Sequence, residues 1–185
     1  GFSAFFDPPR VGVKQVIDSL EEMGIEIKII SGDNELVTEK ICKEIGINIK
    51  GILLGTELQK HSDEALLEII ENTTIFARFS PNDKERIIKL LKEKSHVVGY
   101  MGDGINDSPS LKSADVGISV SNAVNVAKES ADIILTTKSL EELKEAVVEG
   151  RKTFANTMKY IMMALSSNFG NMFSVLGAVL YLPFL

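Results

Sequence analysis

Two aspartates, Asp103 and Asp107, are crowded with Asn106 into the run Met101-Gly102-Asp103-Gly104-Ile105-Asn106-Asp107-Ser108-Pro109-Ser110-Leu111. Carboxylates this close repel each other unless a cation lies between them. Oxygen-rich clusters suit Mg²⁺, which takes one or two carboxylates plus water and a substrate phosphate. The run follows an apolar stretch, His96 to Tyr100, that reads as a buried strand, and ligands bind beyond strand carboxyl ends in open α/β sheets. The stretch therefore points to metal-assisted phosphate chemistry. The plainer alternative is that both aspartates only cap a glycine turn.

Two other segments carry groups that suit the same chemistry. Ser31-Gly32-Asp33 offers a small hydroxyl and a glycine that permits close backbone approach, just before a helix opening at Asn34. Free N–H groups at such an opening can hold phosphoryl oxygens, although Ser, Asp and Asn serve equally well as ordinary caps. Lys84 falls in the first turn of another helix, where its charge opposes the helix dipole unless an anion is near. An exposed lysine fits that spacing equally well.

The elements that must position these groups follow from apolar periodicity. Short β-branched runs alternate with amphipathic stretches, which predicts βα units and a mainly parallel, Rossmann-like α/β sheet with helices on both faces. Strands are expected at Phe2–Phe6, Ile25–Ile30, Ile52–Leu54, Thr74–Phe79, Val97–Tyr100, Val116–Val120 and Ile133–Leu135. Helices are expected at Val11–Met23, Asn34–Ile45, around Glu64–Ile70, and from Ser80-Pro81 to Lys94, with Ser80 as cap and Pro81 in the first turn. From Leu140 a helix runs on without a breaker to the end.

The 185 residues are 44% hydrophobic with a formal net charge of −6, which suits one globular core and argues against a nucleic-acid partner. Cys42, the only cysteine, excludes an internal disulfide and reads as a buried apolar residue. His61 and His96 have no second ligand at metal spacing and read as surface or structural residues. There is no Walker A motif, and Gly102-x-Gly104 lacks the third glycine of a dinucleotide fingerprint. No signal peptide is visible, and a start at Gly1 is expected of an internal piece of something longer.

No charge occurs after Lys159, and residues 160–185 are long enough to cross a bilayer as a helix. Arg151, Lys152 and Lys159 mark the cytoplasmic end. Within the tail Ser167, Asn171 and Ser174 share one helical face, with Asn168 beside them, a candidate ion path of neutral oxygens. Ser166, Gly170, Ser174 and Ala178 repeat every four residues, and the alternative reading is a small-residue seam for helix packing.

Four landmarks in order carry a resemblance: Asp7-Pro8-Pro9-Arg10, Ser31-Gly32-Asp33-Asn34, Ser80-Pro81 with Lys84, and Gly102-Asp103-Gly104-Ile105-Asn106-Asp107. Together they resemble P-type cation-pumping ATPases, whose phosphorylation domain belongs to the haloacid-dehalogenase superfamily. The tail Ser166-Ser167-Asn168-Phe169-Gly170-Asn171 and the ending Leu182-Pro183-Phe184-Leu185 are most similar to the magnesium-transporting branch. The resemblance implies that Asp103 holds a catalytic Mg²⁺, with Asp107 and Asn106 shaping its site. Ser31, Lys84 and the Gly32 backbone would bind the phosphoryl group transferred from ATP, and Asp7 to Arg10 would form a hinge. It further implies residues 1–138 as a partial phosphorylation domain, 139–159 as a stalk and 160–185 as a transmembrane helix. Residues 1–159 would then be cytoplasmic, and the partners would be the upstream nucleotide-binding, actuator and membrane segments, the lipid bilayer and a transported cation, best Mg²⁺.

Two departures matter. Ser31 stands where the family usually has threonine, which keeps the hydroxyl. The family's nucleophile, the aspartate of an Asp-Lys-Thr-Gly-Thr motif, is absent from this sequence, so the chain alone is expected to be inactive. A calcium-type site is disfavoured because Asn171 stands where calcium pumps carry a carboxylate. A heavy-metal P-type ATPase and a soluble haloacid-dehalogenase-type phosphatase are the alternatives.

Overall fold

The computed structural model describes residues 12–137 and 139–182. The expected Phe2–Phe6 strand and the Asp7–Arg10 hinge lie outside them. The chain divides into two units, Gly1–Glu142 and Leu143–Leu185.

The first unit has the parallel α/β layout that the alternation predicts. Strands β1 (Ile29–Ile30), β2 (Ile52–Leu54) and β3 (Ile75–Ala77) form one sheet in the order β1-β3-β2. Strands β4 (Gly99–Met101), β5 (Val116–Val120) and β6 (Ile133–Leu135) form a second, in the order β4-β5-β6. Every pairing is parallel, with Ile30 opposite Phe76 and Met101 opposite Ile118. The helices are α1 (Val13–Glu22), α2 (Glu35–Ile45), α3 (Gly55–Leu58), α4 (Asp63–Glu71), α5 (Pro81–Glu93), α6 (Ser108–Ser113) and α7 (Asn125–Ser130).

Burial follows position in the sheets. Strand β3 is the middle strand of its sheet, and Ile75, Phe76 and Ala77 are all buried, as a continuous apolar run should be when both faces are covered. Phe76 and Phe79 meet edge to face at 5.6 Å between ring centroids in a core with Leu53, Leu58, Leu66, Ile70, Ile87, Leu90 and Leu91. Ile30 of β1 and Val98, just before β4, both pack on this cluster. Helix α5 therefore lies beside both sheets, burying Ile87, Ile88, Leu90 and Leu91. A capping box starts it. Ser80 Oγ accepts from the Asp83 N–H, and Asp83 Oδ2 accepts from the Ser80 N–H.

Some expectations need correcting. The stretch from His96 to Tyr100 is not a buried strand: pairing covers only Gly99–Met101, and Val97 is 84% exposed. Among the described residues β4 ends its sheet, with β5 as its partner on one side. The Ile25–Ile30 strand shrinks to two residues because the Gly24 and Ile25 N–H groups are drawn back to close the end of α1. Helices α3, α6 and α7 were not expected; each has six residues or fewer, too short for a periodic signal.

The second unit is all but the start of α8 (Leu140–Tyr181), a 42-residue helix about 63 Å long at the standard rise. Its start is fixed within the first unit, where Glu142 accepts from the Thr136 hydroxyl and the Thr137 N–H. The helix is long and apolar enough to cross a membrane.

Candidate functional site

Helix α5 and the turn after β4 meet through one ion pair. Lys84 Nζ donates to Asp107 Oδ1 at 2.8 Å, and the two side chains are only 14% and 15% exposed. This contact answers the oddity of a lysine in a helix's first turn: the anion it needs comes from another element. The same Oδ1 accepts from the Tyr100 hydroxyl at 2.8 Å, and Oδ2 accepts from the Gly104 N–H at 3.2 Å. Gly102 permits the arrangement, since a Cβ there would stand 2.5 Å from Asp107 Cβ. Ser119 Oγ donates to the Gly102 carbonyl at 2.9 Å and ties the turn to β5. Helix α5 is latched further along, where Ser113 Oγ donates to Glu85 and Lys92 Nζ donates to the Ser113 carbonyl.

The loop after β1 is bonded to the segment that leads into α5. The Ser31 N–H donates to the Phe76 carbonyl, and the Phe79 N–H donates to the Ser31 carbonyl. Ser31 is thereby held beside Phe79-Ser80, where α5 begins. Its hydroxyl donates to Asp33 Oδ2 at 2.8 Å and accepts from the Asp33 N–H at 3.0 Å. Asn34 caps α2 through the Leu36 N–H. Arg78 takes φ +57° and makes a two-point contact with Glu35, at 2.7 and 3.2 Å. A non-glycine residue rarely adopts that backbone, and the Arg78 N–H is meanwhile bonded to the Asp33 carbonyl.

Electrostatics single out Asp107. Burial would raise its carboxyl, but hydrogen bonds from Lys84 and Tyr100 and the Lys84 charge outweigh that and hold it below its ordinary value. It is therefore ionised at neutral pH. Asp103 lies just before Gly104, and its carbonyl accepts from the Val124 N–H at 3.2 Å. Beside it a cavity of about 390 Å³ is lined by Val13, Val16, Met101, Val120 and Leu135. Asn106 is exposed in the short 3-10 turn Ile105–Asp107. Gly32 is exposed in its loop.

The donor set fits Mg²⁺. Among the described residues no three His, Cys, Asp or Glu side chains gather as a cage. Mg²⁺ needs none, because it is held by one or two carboxylates with water and substrate phosphate. Asp103 and Asp107 supply hard oxygens of that kind. Asp107 already receives an ammonium, a phenol and a backbone N–H, so it would meet a metal through its remaining lone pairs or through water.

Other candidates belong to other elements. Asn168 and Asn171 are on α8, in the second unit. Cys42 is buried. His96 is exposed and pairs with Glu71 at 2.7 Å, while His61 is exposed. Sequence reasoning missed Tyr100, taken only as part of an apolar strand, and Arg78. No local motif marks either one.

A family model described as haloacid dehalogenase-like hydrolase matches residues 1–115. The chain is 52% identical over all 185 residues to "Magnesium-transporting ATPase, P-type 1" of Escherichia coli K12, spanning 21% of that protein. It is 40% identical over 183 residues to "Calcium-transporting ATPase 1" of Bacillus cereus, covering 97% of this chain and 21% of that protein. The chain thus spans about a fifth of the length of the curated relatives it matches. A solved structure of the catalytic domain of the CPx-ATPase CopB-B is similar with a TM-score of 0.58 and 30% identity. The match covers 75% of this chain and 45% of that one.

Proposed function

Because the chain belongs to the haloacid dehalogenase-like hydrolase family, we propose that it is the Mg²⁺- and phosphoryl-binding half of the phosphorylation site of an ATP-driven P-type cation pump. The observation that carries this is the Lys84–Asp107 pair at 2.8 Å, which joins the helix that follows the Ser31-bonded Phe79 to the turn that carries Asp103. In phosphoryl transfer the protein acts mainly by positioning and by stabilising charge spread over phosphoryl oxygens. Lys84 supplies a fixed ammonium, with Ser31 Oγ and the Gly32 N–H as further donors. Asp103 and Asp107 would hold Mg²⁺, which when bound neutralises phosphate charge.

The nucleophile belongs to a further part of the protein, since the sequence contains no Asp-Lys-Thr-Gly. Among the described residues β1 and β4 each end a sheet. Both lie at the shared core, with Ile30 and Val98 packed on it. That layout would accommodate one more parallel strand between them, the natural carrier for an attacking aspartate facing Lys84. Nucleotide-binding, actuator and further membrane segments are the other expected parts.

Magnesium is the proposed cargo, on the strength of 52% identity along the whole chain to magnesium-transporting ATPases. Helix α8 would enter the bilayer near Lys159, with residues 1–159 on the cytoplasmic side and Asn168 and Asn171 on the ion path. The test is to incubate the full-length protein with γ-labelled ATP. A Mg²⁺-dependent, acid-stable label that disappears in Asp103→Asn is expected. A protein that hydrolyses ATP without ever becoming labelled would overturn the reading.

A further inference from the structure

Tyr100 sits under the ion pair but takes no part in the reading above. Its hydroxyl and Lys84 Nζ converge on one oxygen, Asp107 Oδ1, each at 2.8 Å. The second oxygen accepts from the Gly104 N–H. A carboxylate held by three donors from three directions cannot rotate without breaking at least one bond. Behind the phenol lies Ser110, fully buried, whose Oγ makes no well-formed hydrogen bond. A buried hydroxyl left without a partner is costly, so a polar pocket at this point calls for an explanation beyond packing.

We propose that Tyr100 is a positioning residue for Lys84: its hydroxyl fixes the Asp107 carboxylate, which in turn aims the ammonium at the phosphoryl site. Asp107 is kept in a single orientation, so Lys84 is too. An ammonium has three N–H donors, and those not spent on Asp107 can turn to a phosphoryl oxygen. The inference rests on the phosphoryl-transfer reading, and its test separates the two.

The experiment uses the full-length protein with Tyr100→Phe, Ser110→Ala and the double variant. The phenylalanine keeps the ring and removes only the hydroxyl. The expected result is that Tyr100→Phe slows phosphoenzyme formation about tenfold, the scale of one hydrogen bond to a charged group, with KM for ATP unchanged. Ser110→Ala stays near wild type, and the double variant stays as slow as Tyr100→Phe. A purely structural role predicts the opposite for the double variant, because removing both hydroxyls leaves no buried orphan. Full recovery there, or a wild-type rate in Tyr100→Phe, would overturn the proposal. A structure of the Tyr100→Phe protein decides the matter independently of activity: a displaced Lys84 supports it, and an unmoved Lys84–Asp107 pair refutes it. Absence of label in the wild type would count against the pump reading alone.

Discussion

The two halves of the candidate site are built in different ways. On the β1 side, the Ser31 backbone is tied to Phe76 and Phe79, but its hydroxyl is engaged by Asp33, two residues along. On the β4 side, Asp107 gathers donors from α5, from β4 and from its own turn, and the pair with Lys84 is largely shielded from water. The functional side chain of one half is held by a local contact, and that of the other by a distant one. The difference suggests a division of labour: the Asp107 side holds charge in place beforehand, while the Ser31 side can reorient its hydroxyl when a phosphoryl group arrives. Preorganised charge is the larger contributor to catalysis of this kind.

That asymmetry sets the order of expected effects. Lys84→Ala in the full-length protein should reduce phosphoenzyme formation from ATP by at least about a hundredfold, the scale for loss of one preorganised donor; labelling rates measure it. Ser31→Ala should cost less, about tenfold, and Ser31→Thr should be close to wild type because the hydroxyl remains. If Ser31→Ala proved as damaging as Lys84→Ala, the contrast between the halves would be wrong. The isolated 185-residue chain, which lacks the nucleophile motif, should take up no covalent label from ATP at all.

Stability gives a smaller effect with a definite sign. The folded carboxyl of Asp107 lies below its ordinary value, so its contribution is fully present above about pH 4 and is lost as pH falls through the depressed folded value. Asp107→Ala should therefore destabilise the chain by about 2 kcal/mol near neutral pH. Thermal unfolding in detergent should show the gap between the two proteins closing below pH 4. A gap that persisted at low pH would mean that packing, not the ion pair, supplies it. The smallest structural change is expected on α8, where Asn171→Leu should spare expression yet impair ion-stimulated turnover; unchanged ion dependence would remove Asn171 from the path.

What the sequence made legible follows the same local-versus-distant line. Ser80 and Pro81 announced the start of α5, Gly46 the end of α2 in left-handed backbone at φ +80°, and the unbroken pattern from Leu140 the long helix. Each is written within a few neighbouring residues. The Asp103–Asp107 turn was legible because like charges at close spacing demand a partner. Its partner was half legible: Lys84 looked misplaced, but nothing local said that it would meet Asp107, 23 positions away. Tyr100 was invisible as a functional group because an aromatic in an apolar run fits a strand core equally well. The place of β4 at the end of its sheet among the described residues depends on strand order, and strand order is not encoded in any single segment.

A structure of the full-length protein with a phosphoryl mimic such as beryllium fluoride would test the convergence of these groups most directly. The Ser31 hydroxyl and the Lys84 ammonium should both lie about 3 Å from the mimic, with a Mg²⁺ bridging it to Asp103. A mimic bound elsewhere, or held with Lys84 turned away and still paired only to Asp107, would contradict the account.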